Sequence, residues 1–119
     1  HAIEDFVLDE LSSILKENSR KSDIISRIGG EEFAIIFEVD SKDNAISIME
    51  NLRKKVEDLK IIACNSTICN YLTISIGLGY IKKASPDANS DQIYDEVDKL
   101  LYESKDNGRN QITTRDIIV

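Results

Sequence analysis

The chain has 119 residues, of which 41% are apolar and 31% charged. That length suits one domain and one packed core, and the composition argues against disorder. Fifteen Lys and Arg against 22 Asp and Glu give a net charge of −7. So acidic a chain is poorly suited to gripping DNA or RNA, which calls for a basic face.

The first predicted element is a helix from about Asp5 to about Asn18, with Ile3, Val7, Leu11, Ile14 and Leu15 at helical spacing. The runs Ile24–Ile28 and Phe33–Phe37 flank Gly29-Gly30-Glu31-Glu32 and read as an antiparallel hairpin. The second run is nearly all apolar, which predicts a central strand covered on both faces. A second helix is expected from Lys42 to Lys60, burying Ala45, Met49, Leu52, Val56 and Leu59.

Ile61–Ala63 reads as a short strand, Asn65–Asn70 as a loop and Leu72–Tyr80 as a strand. Gly77 and Gly79 inside that strand mark a bulge or a close backbone approach. Asp91–Asp106 is the third predicted helix, turned inward through Ile93, Val97, Leu100, Leu101 and Ser104 and ended by Gly108. A short strand, Gln111–Thr113, closes the chain. Cys64 and Cys69 lack the spacing and companions of a zinc site and read as reduced, small hydrophobes. No run is long and apolar enough for a membrane span, and no signal peptide opens the sequence.

The predicted order is α-β-β-α-β-α-β. With a strand restored before the first helix it becomes β-α-β-β-α-β plus an added helix and strand. This is an α+β fold of the ferredoxin-like kind, an antiparallel-containing sheet flanked by helices. The whole chain, residues 1–119, is read as one domain whose first strand is missing.

The chemistry concentrates at Gly29-Gly30-Glu31-Glu32-Phe33. Two glycines let backbone approach a bulky ligand such as a triphosphate, and neighbouring carboxylates can hold a hard divalent ion. The plainer reading is a hairpin turn with an acidic tip. Further landmarks follow in order: His1-Ala2-Ile3-Glu4-Asp5, Arg20-Lys21-Ser22-Asp23, Ser26-Arg27-Ile28, Leu72-Thr73-Ile74-Ser75-Ile76-Gly77, and Val97–Lys105 leading into Asp106-Asn107-Gly108-Arg109-Asn110. Together these resemble the GGDEF domains of bacterial diguanylate cyclases, over essentially the whole chain.

The resemblance implies a nucleotidyl-cyclase-like fold and a specific reaction: two GTP condense into cyclic di-GMP with release of pyrophosphate, across a homodimer. Glu31 is then a metal ligand and catalytic carboxylate for Mg²⁺ or Mn²⁺, with Glu32 supporting it. Gly29 and Gly30 lie against the nucleotide, Asp5 reads the guanine N1 and N2 groups, and His1 faces the same ligand. Lys105 and Arg109 hold the terminal phosphates. Arg20 and Asp23 form an inhibitory cyclic di-GMP site, to which Arg53 is the nearest candidate addition. The domain is expected to be cytoplasmic, behind a sensory or receiver domain, in a protein that could itself be membrane-anchored.

There are departures from the family's pattern. Glu4 stands where glycine is usual. The family's first strand brings a second metal-binding aspartate, a phosphate-binding loop and a guanine-reading asparagine, and this sequence holds none of them. The fragment alone is therefore expected to be inactive. The alternatives are a non-catalytic module binding cyclic di-GMP or GTP, and a regulatory GGDEF domain attached to a cyclic di-GMP phosphodiesterase.

Overall fold

The computed structural model describes residues 2–18, 21–29 and 32–119. The elements run α1 (Ala2–Asn18), β1 (Lys21–Gly29), β2 (Glu32–Glu38), α2 (Lys42–Asp58), β3 (Ile62–Asn65), β4 (Ile68–Tyr71), β5 (Ile76–Tyr80), α3 (Ser90–Asp106) and β6 (Ile112–Asp116). The architecture is α+β, with antiparallel and parallel strand pairs and three helices among the described residues. The chain divides into two compact units, residues 1–48 and 49–119.

In the first unit, β1 and β2 pair antiparallel from Lys21 opposite Glu38 to Gly29 opposite Glu32. The register shifts between Ser22 and Ile24 and again between Arg27 and Gly29. The hairpin is the one the sequence predicts. The expectation that its second strand is covered on both faces fails, because Ile36 is 60% exposed and β2 pairs only with β1 among the described residues. Among the residues whose side chains are described, Val7, Leu11, Ala45 and Ile48 are the buried apolar ones of this unit. Ser41 opens α2 by accepting the Asn44 N–H at 3.1 Å on its hydroxyl, an N-cap that satisfies an otherwise orphaned donor.

The second unit is organised by a β-α-β crossover. β5 and β6 run parallel, Ile76 opposite Ile112 through Tyr80 opposite Asp116, and α3 joins them and packs on both. Asn89 caps α3, its side-chain oxygen accepting from the N–H groups of Asp91 (2.8 Å) and Gln92 (3.2 Å). Met49, Leu52, Val56, Leu78, Leu100 and Ile117 are the buried apolar side chains here. Of the stripe predicted for α2, Leu59 alone falls outside, at 45% exposed.

The expected strand from Leu72 begins only at Ile76. The ladder partner β6 starts at Ile112, and the Ile76 N–H donates to Gln111 O at 2.9 Å just before it. The closing strand is correspondingly longer than expected, Ile112–Asp116.

The largest correction concerns residues 62–71. The short strand expected at Ile61–Ala63 is present as β3, but the loop expected at Asn65–Asn70 is instead the rest of a second hairpin, β3 against β4, whose register sets Cys64 directly opposite Cys69 with Cα atoms 4.1 Å apart. The two cysteines form a disulfide, not the free thiols that the compartment argument predicted. Cross-strand opposition is the physical reason, since it aims both side chains at one point on one face. The strands are exposed on both faces, and Lys60 lies over the Tyr71 ring at 5.6 Å. A two-stranded ribbon so little covered is marginal without a staple.

The close approach expected at Gly77 and Gly79 is present. A Cβ on Gly77 would lie 2.4 Å from Leu101 N and 2.8 Å from Val97 O, both backbone atoms of α3. On Gly79 it would lie 2.3 Å from Ile117 Cδ1, a movable side-chain end. Backbone cannot yield as a side chain can. Gly77→Ala is therefore expected to destabilise the protein by about 2–3 kcal/mol, more than Gly79→Ala does, as read by urea unfolding of the two variants side by side. Equal midpoints for both would show that the α3–β5 contact adjusts freely.

Candidate functional site

Two groups of predicted site residues lie in the two units. In the first, the β1–β2 ladder brings Gly29 opposite Glu32, where β1 ends and β2 begins. Glu32 is half-buried, whereas Asp5 is exposed near the start of α1. Asp23 lies in β1 at the register shift between Ser22 and Ile24. His1, Arg20, Gly30 and Glu31 lie outside the described residues.

In the second unit, Lys105 stands in the last turn of α3, where a cation suits the helix dipole, and Arg109 follows just past the helix end. The helix stops at a glycine in the left-handed region, Gly108 at φ +115, and the Arg109 N–H donates back to Ser104 O at 2.9 Å. This is the bond pattern of a glycine-terminated helix, in which an orphan carbonyl of the last turn is satisfied from beyond the cap. Arg109 and Asn110 also adopt positive φ, +65 and +49. The Gln111 side-chain amide spans the turn, donating to the carbonyls of Asn107 and Arg109 at 2.9 Å each. Lys105 is half-buried and Arg109 is exposed.

Behind this turn stands a polar cluster that sequence reasoning did not anticipate. Asn110 Oδ1 accepts from Arg53 Nη1 at 2.7 Å, and Asn110 Nδ2 donates to Glu57 Oε2. The same guanidinium grips Glu50 with two donors, Nε at 2.9 Å and Nη2. It also lies 3.6 Å from Glu57. The Arg53 side chain is only 12% exposed. Arg53, offered above as an addition to the inhibitory site, thus has its guanidinium committed within its own unit. The only signal for Asn110 was its place directly after Gly108-Arg109.

Among the described residues no three His, Cys, Asp or Glu side chains stand together as a metal cluster. No helix among them is long and apolar enough to cross a membrane.

The family model described as "Diguanylate cyclase, GGDEF domain" matches residues 1–111. The chain belongs to the GGDEF domain family. This GGDEF domain is 40% identical over 113 residues to diguanylate cyclase A of Treponema denticola, covering 95% of the chain and 29% of that protein. It is 31% identical over 118 residues to the probable diguanylate cyclase DgcT of Escherichia coli, covering 99% of the chain and 26% of that protein. It thus spans under a third of either relative. Its fold is similar to the crystal structure of the GGDEF domain of DgcB from Caulobacter crescentus in complex with c-di-GMP. That match has a TM-score of 0.66 and 25% identity, over 96% of this chain and 66% of that one.

The cluster around Arg53 has a pH signature. The hydrogen bonds from Arg53 hold the Glu50 carboxyl below the ordinary glutamate value of 4.5, against a smaller opposing effect of desolvation. A carboxyl lowered in the folded state stabilises the fold above its unfolded value, and that contribution disappears as pH falls through the folded value. Glu50→Gln should therefore cost stability at neutral pH, with the gap to the parent closing below pH 4.5. Urea midpoints of both proteins across that range measure it. A gap independent of pH would mean that Glu50 contributes no charge interaction.

Proposed function

We propose that this GGDEF domain is the catalytic module of a diguanylate cyclase, condensing two GTP into cyclic di-GMP and releasing pyrophosphate across a homodimer. The observation that carries the reading is the signature Gly29-Gly30-Glu31-Glu32, spanning the end of the β1–β2 ladder where Gly29 faces Glu32. Relatives named as diguanylate cyclases support it, as does a GGDEF domain solved with c-di-GMP.

Phosphoryl transfer asks a protein chiefly for positioning and charge neutralisation. Backbone at Gly29 and Gly30 would lie against the nucleotide, where a side chain would hold it off. Asp5 would accept from guanine N1 and N2, and His1 would face the same ligand. Lys105 and Arg109 would hold the terminal phosphates, Arg through its planar fork and Lys as a point charge.

Mg²⁺ or Mn²⁺ prefers hard oxygen donors, and the carboxylates of the signature are of that type. Glu31, supported by Glu32, would hold the ion together with substrate phosphate oxygens. The ion would supply charge neutralisation at the phosphate under attack. Residues 1–119 would act as one domain, and the greater length of the relatives leaves room for an input domain beside it. The domain would work in the cytoplasm.

Glu31→Ala in the full-length protein should lower cyclic di-GMP formation from GTP and Mg²⁺ by at least about 100-fold, with the unfolding midpoint unchanged. Chromatography of the nucleotides would measure it. Parental turnover in that variant would remove the signature from the chemistry.

A second role for the same domain follows from the relative solved with c-di-GMP. Arg20 and Asp23 would offer one cation and one acceptor to the phosphates and guanine edges of the product, and binding there would limit the enzyme. Arg20→Ala should weaken cyclic di-GMP binding by about tenfold and lift product accumulation while leaving the initial rate near the parent's. Titration calorimetry with progress curves tests this, and unaltered product affinity would exclude Arg20 from the site.

A further inference from the structure

We propose that Asn110 is a positioning residue for the phosphate-binding end of α3, an inference that rests on the phosphate reading of Lys105 and Arg109. The turn after α3 is conformationally expensive. Gly108, Arg109 and Asn110 occupy the left-handed region in succession, at φ +115, +65 and +49, and two of the three carry a Cβ. L-residues adopt that region as isolated exceptions, so consecutive ones need outside ties.

Most ties on this turn are local: Asn107 N–H to Glu103 O, Arg109 N–H to Ser104 O, and the Gln111 amide to two carbonyls. They shape the turn but leave it fastened to its own helix. Of the long-range ties, one is the Gln111 carbonyl, which accepts the Ile76 N–H at 2.9 Å, and Asn110 supplies the others. Its backbone N–H donates to Ser75 Oγ at 3.2 Å, just before β5. Its side chain accepts from Arg53 and donates to Glu57, both on α2.

Asparagine is suited to this position twice over. It tolerates the left-handed region better than other residues with a Cβ, and its amide carries both the acceptor that Arg53 needs and the donor that Glu57 needs. Arg53 is in turn held on its far side by Glu50, so the anchor point is itself fixed. Arg109 is the residue next to this anchor. Its backbone is tied at the N–H and at the carbonyl, while its side chain is exposed. Asn110 therefore acts on the nucleotide through Arg109, by fixing where that side chain starts.

The test compares four variants of the full-length protein: Asn110→Ala, Arg109→Ala, Asn110→Asp, and Asn110→Asp with Glu57→Gln. Amide hydrogen exchange over residues 107–111 and steady-state kinetics with GTP are read for each. Asn110→Ala should speed exchange there and raise KM for GTP by on the order of tenfold, with kcat within about twofold of the parent. Asn110→Asp sets a carboxylate against Glu57 and should do the same. The double variant exchanges donor and acceptor, because the new amide at position 57 can donate to the new carboxylate at position 110 while that group still accepts from Arg53. It should bring KM back to within about threefold of the parent.

Faster exchange with an unchanged KM in Asn110→Ala, while Arg109→Ala raises KM, overturns the positioning role and leaves the phosphate reading standing. An unchanged KM in Arg109→Ala fails the phosphate reading itself. If Asn110→Ala does not fold, the single and double aspartate variants decide, and a folded double variant without KM recovery overturns the proposal.

Discussion

α3 approaches β5 so closely that position 77 has no room for a side chain. With a Cβ there meeting the Leu101 nitrogen at 2.4 Å, glycine is what permits the contact at all. The rest of the second unit follows from it. Once the helix lies against the strand at Val97 and Leu101, its axis is set, and with it the place where Lys105 leaves the last turn. A helix standing further off would carry its last turn with it, so a missing side chain in a strand bears on where Lys105 sits.

Ser104 then joins the helix end to the sheet. It is fully buried, and its hydroxyl has two oxygens to satisfy, Ile76 O at 2.8 Å and Thr113 Oγ1 at 2.6 Å. A hydroxyl has one proton, which goes to the carbonyl, so the Thr113 hydroxyl donates in the second bond. One serine thus bonds β5 and β6 with its side chain while its carbonyl accepts the Arg109 N–H. A buried polar group left unpaired is costly, so helix, both strands and the following turn have one mutually satisfying arrangement.

What the sequence made legible was whatever rests on local periodicity or on glycine. The buried residues of α2 and α3 recur at helical spacing, the Gly29-Gly30 hairpin is flanked by β-rich runs, and Gly108 ends α3 as expected. Of the β3–β4 hairpin only the first strand was legible, because both strands are short and exposed on both faces and so show no alternation. Its turn, Ser66-Thr67, lacks glycine, asparagine or proline. The disulfide was missed for the same reason: only the register reveals that Cys64 faces Cys69. The anchor of Asn110 was invisible because its partners on α2 lie 53 and 57 positions away. Of the candidate site, the motifs were readable as words, while the turn that holds Arg109 came from the three-dimensional arrangement.

Charge placement makes the same point. A chain with a net charge of −7 repels a triphosphate at long range, and bulk electrostatics gives it no help in gathering one. The cations within it are not interchangeable either. Arg53 is surrounded by Glu50, Glu57 and Asn110, and Arg115 lies 3.4 Å from Glu103. The nucleotide site proposed above would therefore rest on a few cations held at chosen points. Holding a cation at a point is a backbone problem before it is a side-chain problem. In this molecule the backbone at Arg109 is held by a buried serine, a glutamine and an asparagine, none of which carries charge. The neutral residues around the turn decide where the charge stands.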